Sequence, residues 1–380
     1  MPKPLTENKD KGMKIVTIVG ARPQFIKAAA VSRAIEKHNK KSDGDGIAEI
    51  LVHTGQHYDY EMSQVFFDEL RIPTPDYHLG VGSGSHGKMT GAMLEKIEEV
   101  LLREKPGCVM VYGDTNSTLA GALAGVKLHT PIAHVEAGLR SFNRQMPEEI
   151  NRVLTDHVSE LLFCPTDQAV VNLGREGITE GVSKVGDVMH DSFLFHKEIA
   201  KKTSRILSNL SLNPGTYCLA TVHREENTSD PSKLSGILEA FRSLATPECP
   251  FVVPLHPRTS KALADLGTRS SLGAAVRFLD PVSYLDMTQL EANAKVILTD
   301  SGGVQKEAYF AGVPCVTLRN ETEWVELVER GFNSLGGNEA AGICKAFGDM
   351  LGRRILLDPD LYGHGNACER IVSILHRSHD

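Results

Sequence analysis

The chain has 380 residues, 41% of them apolar and 23% charged, with a formal net charge of −7. That length exceeds what one hydrophobic core usually serves, so two domains are expected. The negative balance argues against nucleic acid or an anionic membrane as a partner, so an anionic ligand needs locally placed basic residues.

Residues 1–12 read as a disordered extension. Residues 14–20 (KIVTIVG) form a β-rich run that ends in a glycine turn. A helix follows over about 23–38, with proline near its first turn, where a missing N–H costs nothing. A second strand is expected over 49–54 and a short helix over 61–70. Gly82 to Gly87 match GxGxxG, but two prolines and no convincing strand precede them, so a flexible loop and no NAD site is the reading. Met93, Leu94, Ile97, Leu101 and Leu102 make a helical stripe over 90–104. The alternation continues with strand 108–112, helix 117–128, strand 132–135, helix 148–160 and strand 161–164. The rhythm changes over 182–195, and a second series runs through strands at 217–222, 251–255, 276–279, 296–299 and 314–318. This predicts an α/β chain of two Rossmann-like, doubly wound domains, 13–190 and 191–364, with a cleft between them. The last segment, 365–380, is a helix that could return to the first domain. Seven scattered cysteines without CxxC, no signal peptide and no membrane-length apolar run predict reduced thiols and a cytoplasmic protein.

Candidate site residues fall at strand ends. Asp300-Ser301-Gly302-Gly303 follows a strand and opens a helix, which aims bare N–H groups at a phosphate. Glu307, one to two turns further in, can accept hydrogen bonds from ribose hydroxyls. Near Gly20, Arg22 and Lys27 add charge to another helix start. Asp114 and Glu136 end neighbouring strands and could face one cavity, although Asp114 or Thr115 could equally be only an N-cap. Glu148 sits in a first helical turn, His223 follows a strand in the second half, and His256 closes the next strand. Crowded carboxylates would raise at least one pKa toward neutrality and make a general acid. The fifteen histidines show no paired ligand spacing, so no zinc is expected.

Together, GARPQFIK, TGQH (54–57), YGDTNST, HVEAGLRS, PEEINR, HREEN and DSGGVQKEA resemble the non-hydrolysing UDP-N-acetylglucosamine 2-epimerase family from about residue 14 onward. Residues 83–87, 141–144 and 318–325 are similar to its branch acting on UDP-2,3-diacetamido-2,3-dideoxyglucuronate. The N-acetylglucosamine enzymes tend to carry Thr-Glu-Arg-Pro where this chain has Thr322-Glu323-Trp324-Val325. The resemblance implies a two-domain fold shared with a large glycosyltransferase class (GT-B), a homodimer, no cofactor, and a role in bacterial surface polysaccharide such as lipopolysaccharide O-antigen. It implies loss of UDP across C1–C2 and its re-addition, with Asp114, Glu136, Glu148 and His223 in the proton and leaving-group work. Arg22, Lys27, His256, Ser301, Gly302, Gly303 and Glu307 would hold UDP. Gln56, His57 and Arg144 would meet the sugar, Arg144 as the cation for a C6 carboxylate. A glycosyltransferase of the same fold, a hydrolysing epimerase and a non-catalytic nucleotide-sugar sensor are the competing readings.

Overall fold

In a computed structural model, residues 12–42, 45–55, 72–267 and 272–378 are described. The extension expected over 1–12 (apart from Gly12), the helix expected over 61–70, and Gln56 and His57 lie outside them. The chain divides into two compact units, one running to Ser192 and resuming at Asp358, the other spanning Phe193–Leu357.

The first unit is built on seven strands: β1 (Lys14–Val19), β2 (Ala48–His53), β3 (Tyr77–His78), β4 (Cys108–Tyr112), β5 (Ile132–Val135), β6 (Leu161–Cys164) and β7 (Val182–Lys184). They pair in parallel in the order β3-β2-β1-β4-β5-β6-β7. β1 and β4 are near-continuous apolar runs because helices cover both faces of a parallel sheet. Val16, Ile18, Val109 and Val111 pack with Met93 and Ile97 of helix His86–Glu104. That helix begins four residues earlier than its apolar stripe suggests, with Ser85 at its N-cap, so the end of the GxGxxG segment is helical. Glycines 87 and 91 weaken helical propensity there and mask the start. The last helix, Ala367–Arg377, buries Ile371, Val372 and Leu375 and packs on helix Arg22–Asn39.

The second unit carries β8 (Cys218–Thr221), β9 (Phe251–Pro254), β10 (Val276–Leu279), β11 (Val296–Thr299), β12 (Cys315–Thr317) and β13 (Asn333–Leu335), parallel in the order β10-β9-β8-β11-β12-β13. Leu219, Val252 and Ile297 meet Leu290 and Ala308 of the covering helices in one core. In each sheet the strand order reverses once, between β1 and β4 and between β8 and β11. Beyond the carboxyl ends of such strands, loops diverge and leave room for a ligand.

Helix Pro147–Val158 inverts the usual pattern. It buries Glu149, Asn151, Thr155 and Asp156, while Ile150 and Leu154 are 41% and 45% exposed. Met146 and Phe142 extend that exposed apolar stripe at 38% and 69%.

Candidate active site

At the first unit's switch point the turn after β1 closes on itself. Buried Gln24 accepts from the N–H groups of Gly20 (2.8 Å) and Ala21 (3.0 Å) through Oε1. Its Nε2 donates across to the Tyr112 carbonyl (2.7 Å) and to Thr118 Oγ1 (2.9 Å). These two amides are thereby used internally, so an anion at this helix start would rely on side chains such as Arg22, which is exposed. Gly20 is a glycine because a Cβ would overlap Ser117 Oγ and Thr54 Oγ1, themselves bonded at 2.8 Å. Gly20→Ala is expected to cost about 1–3 kcal/mol as the two hydroxyls are forced apart. A urea midpoint unchanged from the parent protein would count against that crowding.

Gly113, which precedes Asp114, turns the chain sharply after β4 with a φ of +63°. A Cβ there would lie 3.5 Å from Glu136 Oε2 and 3.8 Å from Lys27 Nζ. Lys27 and Glu136 form an ion pair with side chains 13% and 6% exposed, so Lys27 is placed on a carboxylate. Glu136 holds φ +71°, an uncommon left-handed conformation for a residue with a Cβ. The N-cap of the next helix is Thr115, whose Oγ1 accepts from the Thr118 amide, so the Asp114 carboxylate is not spent on capping. Asp114 is instead paired with Arg152 Nη2.

Arg152 also binds Glu149, and Glu149 accepts from the Ser141 (2.9 Å) and Phe142 (2.9 Å) amides. Burial pushes the Glu149 carboxyl up, but those amides and Arg152 outweigh it and hold it below the usual range. Its neighbour Glu148 is exposed, and among the described residues no hydrogen bond joins it to Asp114 or Glu136. Arg144 is also exposed.

Behind Gly113 lies a buried polar chain that the sequence reading missed. His134 places Nε2 2.7 Å from the Gly113 carbonyl, which can only accept, and Nδ1 2.6 Å from Asp156 Oδ1. Asp156 Oδ2 accepts from Arg140 Nη1 (2.6 Å) and the Gly138 amide (3.1 Å), and Arg140 forks onto Glu176. Burial raises the Asp156 carboxyl, yet His134 and Arg140 bring it below its ordinary value. This chain positions the turn that carries Asp114.

In the second unit, fully buried Asp300 organises the loop after β8. It accepts from the backbone amides of His223 (3.0 Å) and Arg224 (3.0 Å) and from Asn227 Nδ2 (3.1 Å). Its Oδ1 is 3.3 Å from His223 Nδ1, which leaves Nε2 of the 40% exposed imidazole to face outward. Burial raises the Asp300 carboxyl, but His223, Asn227 and the Arg224 amide hold it low. His256 caps helix Pro257–Leu266 through Nδ1, 3.2 Å from the Arg258 amide, with its ring 5.8 Å from that of His223. Burial, then His223, lowers its pKa, so the ring favours the neutral form that can accept.

Ser301 is the N-cap of helix Gly302–Ala311, its Oγ 3.4 Å from the Val304 amide. A Cβ on Gly302 would overlap Glu323, whereas one on Gly303 would meet nothing nearer than 3.8 Å. Segment 319–324 therefore lies against the helix start. Trp324 Nε1 donates to the Gly302 carbonyl (2.9 Å), Lys306 Nζ sits 4.3 Å from the Trp324 ring centre, and Thr322 Oγ1 donates to Gln305 (2.7 Å). Glu323 is held by Arg319 (2.7 Å) and Arg224 (3.2 Å). Glu307, 8% exposed, accepts from Tyr284 (3.1 Å), and its pKa is raised chiefly by burial. Among the described residues no group of three or more His, Cys, Asp or Glu is placed to hold a metal ion.

The sequence profile of the family described as UDP-N-acetylglucosamine 2-epimerase matches residues 39–376. A Pseudomonas aeruginosa protein named UDP-2,3-diacetamido-2,3-dideoxy-D-glucuronate 2-epimerase is 54% identical, over 96% of this chain and 99% of its own. A Methanococcus maripaludis UDP-N-acetylglucosamine 2-epimerase homolog is 55% identical over the same shares. The solved structure of the Methanocaldococcus jannaschii UDP-GlcNAc 2-epimerase with UDP-GlcNAc and UDP superposes with a TM-score of 0.82. It is 44% identical and covers 96% of this chain and 100% of that one.

Proposed function

The chain belongs to the UDP-N-acetylglucosamine 2-epimerase family, and from that premise we propose that it is an isomerase inverting C2 of a UDP-2-acetamido sugar. The sugar we assign is UDP-2,3-diacetamido-2,3-dideoxy-glucuronate, converted to its manno epimer in the cytoplasm for surface polysaccharide. The observation that carries the reaction class is Glu136, held by Lys27 beside the Gly113 turn that leads into Asp114; in the second unit, taken by itself, Asp300 holds His223. The sugar rests on the Pseudomonas aeruginosa relative and on segment 319–324, whose Trp324 and Glu323 lie against the phosphate-seat helix.

The C2 proton is not acidic, because no carbonyl stands next to it. A carboxylate of the Asp114 and Glu136 group takes that proton as the C1–O bond breaks. The electrons form a C1=C2 bond and UDP leaves with its negative charge. Re-addition of UDP, with a proton delivered to the other face of C2, gives the epimer. Glu148 and His223 share the proton and leaving-group work. Helix Gly302–Ala311, with Ser301, Gly302 and Gly303 at its start, holds the diphosphate, Glu307 the ribose, and Arg22 and His256 support UDP, while Lys27 is engaged by Glu136. Arg144 answers a C6 carboxylate. Neither NAD nor metal enters these steps. A homodimer belongs to this reading, and the exposed stripe of Phe142, Met146, Ile150 and Leu154 supports it as the buried face. No helix among the described residues is long and apolar enough to cross a membrane.

UDP-N-acetylglucosamine is the second substrate reading, favoured by the Methanocaldococcus jannaschii relative. Proton NMR in heavy water, with both sugars offered together and no NAD, separates them. Deuterium at C2 and a manno product from the uronate alone support the assignment. Exchange only in UDP-N-acetylglucosamine moves it to the second sugar, and exchange in neither removes the epimerase reading. Arg22→Ala is expected to weaken UDP by roughly tenfold, on the order of one charge-assisted hydrogen bond. Calorimetry that finds UDP affinity unchanged takes Arg22 out of the diphosphate seat.

A further inference from the structure

Two thiols in the second unit stand apart from the site. Cys218 opens β8 and is buried; Cys249 precedes β9 and is partly exposed; their sulfurs lie 3.7 Å apart. The sheet produces this approach. β8 and β9 pair in parallel with Cys218 opposite Phe251, and the Cys218 amide donates to the Pro250 carbonyl at 2.9 Å. Thr246 holds residue 249 in place through reciprocal backbone bonds of 3.3 and 3.1 Å and an Oγ1 acceptor at 3.1 Å. Cys108, Cys164, Cys315 and Cys368 are buried, and burial pushes the first two thiols up to about 12. Cys344 is partly exposed, and burial raises its thiol too.

We propose that Cys218 and Cys249 are a peroxide-reactive dithiol that closes reversibly into a disulfide. Cys249 is the attacking sulfur because it is the member that solvent reaches. The S–H of Cys218 hydrogen-bonds its thiolate and, against the cost of burial, Lys295 adds positive charge, so its pKa falls below the ordinary thiol range. The thiolate attacks one oxygen of hydrogen peroxide, the O–O bond breaks and the departing hydroxide leaves as water, which makes Cys249 a sulfenic acid. The Cys218 sulfur then attacks the Cys249 sulfur. An S–S bond forms, the S–O bond breaks, and the oxygen leaves as a second water with the Cys218 proton. Two thiols are oxidised by two electrons and one peroxide is reduced to two waters. The bridge would lie at the amino end of β8, three residues from Thr221, so its effect is on the unit's stability and not on His223.

The full-length protein, reduced and desalted, is treated with hydrogen peroxide and its tryptic peptides are mapped by mass spectrometry. The expected product is one cross-linked pair joining Cys218 to Cys249, lighter by two hydrogens and released by dithiothreitol. Its melting temperature should rise by roughly 5–10 °C, because the bridge closes a loop of about thirty residues. Cys249→Ser should abolish the cross-link and leave Cys218 unmodified. Oxidation of Cys249 to sulfinic acid with Cys218 still free overturns the proposal, as does a cross-link through another cysteine or equal oxidation of Cys218 in Cys249→Ser.

Discussion

Glu136→Gln is expected to slow deuterium incorporation at C2 by at least about 10³-fold while leaving UDP affinity within about twofold. Glu136 sits at the tip of β5, where a left-handed backbone and the Lys27 ammonium hold its carboxylate beside the Gly113 turn. The amide keeps the size of the side chain and an acceptor for Lys27, but it can neither take nor deliver a proton. Proton NMR in heavy water reads the first effect and calorimetry with UDP the second. A variant that turns over at near-parental rate would make the Lys27–Glu136 pair structural and leave the chemistry to Asp114.

Asp156→Ala is expected to lower the melting temperature by about 10 °C, from a loss of about 3–5 kcal/mol. The change leaves Arg140, His134 Nδ1 and the Gly138 amide facing a space where their acceptor stood, all in the interior of the first unit. Because the folded-state pKa of Asp156 is depressed, its stabilisation is complete above the unfolded-chain value and is lost as pH falls through the folded value. The acid limb of the melting-temperature profile should therefore flatten in the variant. Turnover should fall as well, since His134 would no longer hold the Gly113 carbonyl in place. An unchanged melting temperature at neutral pH would show that the chain contributes nothing to the fold.

The strands that place the site were legible because each is a run of β-branched and apolar residues ending in glycine or a polar turn. β1, β2, β4 to β6 and β8 to β12 could be read that way, whereas β3, β7 and β13 are two or three residues long and carry no period. Strand ends were therefore visible, and with them Asp114, Glu136 and His223. What they touch was not. Lys27 looked like a phosphate ligand because its charge lies near a glycine turn, and only the fold shows β5 delivering Glu136 to it. Asp300 was visible within its motif, but its hold on the His223 loop depends on β8 and β11 being neighbours. Helix Pro147–Val158 misled in a different way. Its polar residues face inward, and Glu149, Arg152 and Asp156, which form the scaffold under Asp114, were not among the site candidates.

Gln24 has a consequence for how this molecule ages. One end of its carboxamide accepts from two amides and the other donates to a carbonyl, so the clasp across the first switch point needs both chemistries in one side chain. Spontaneous hydrolysis to glutamate, a lesion that hardly alters the shape of the side chain, would set a carboxylate against the Tyr112 carbonyl. Stored protein that has deamidated there would keep its sheets and lose the register between the β1 and β4 loops, so loss of activity should precede any loss of folded content.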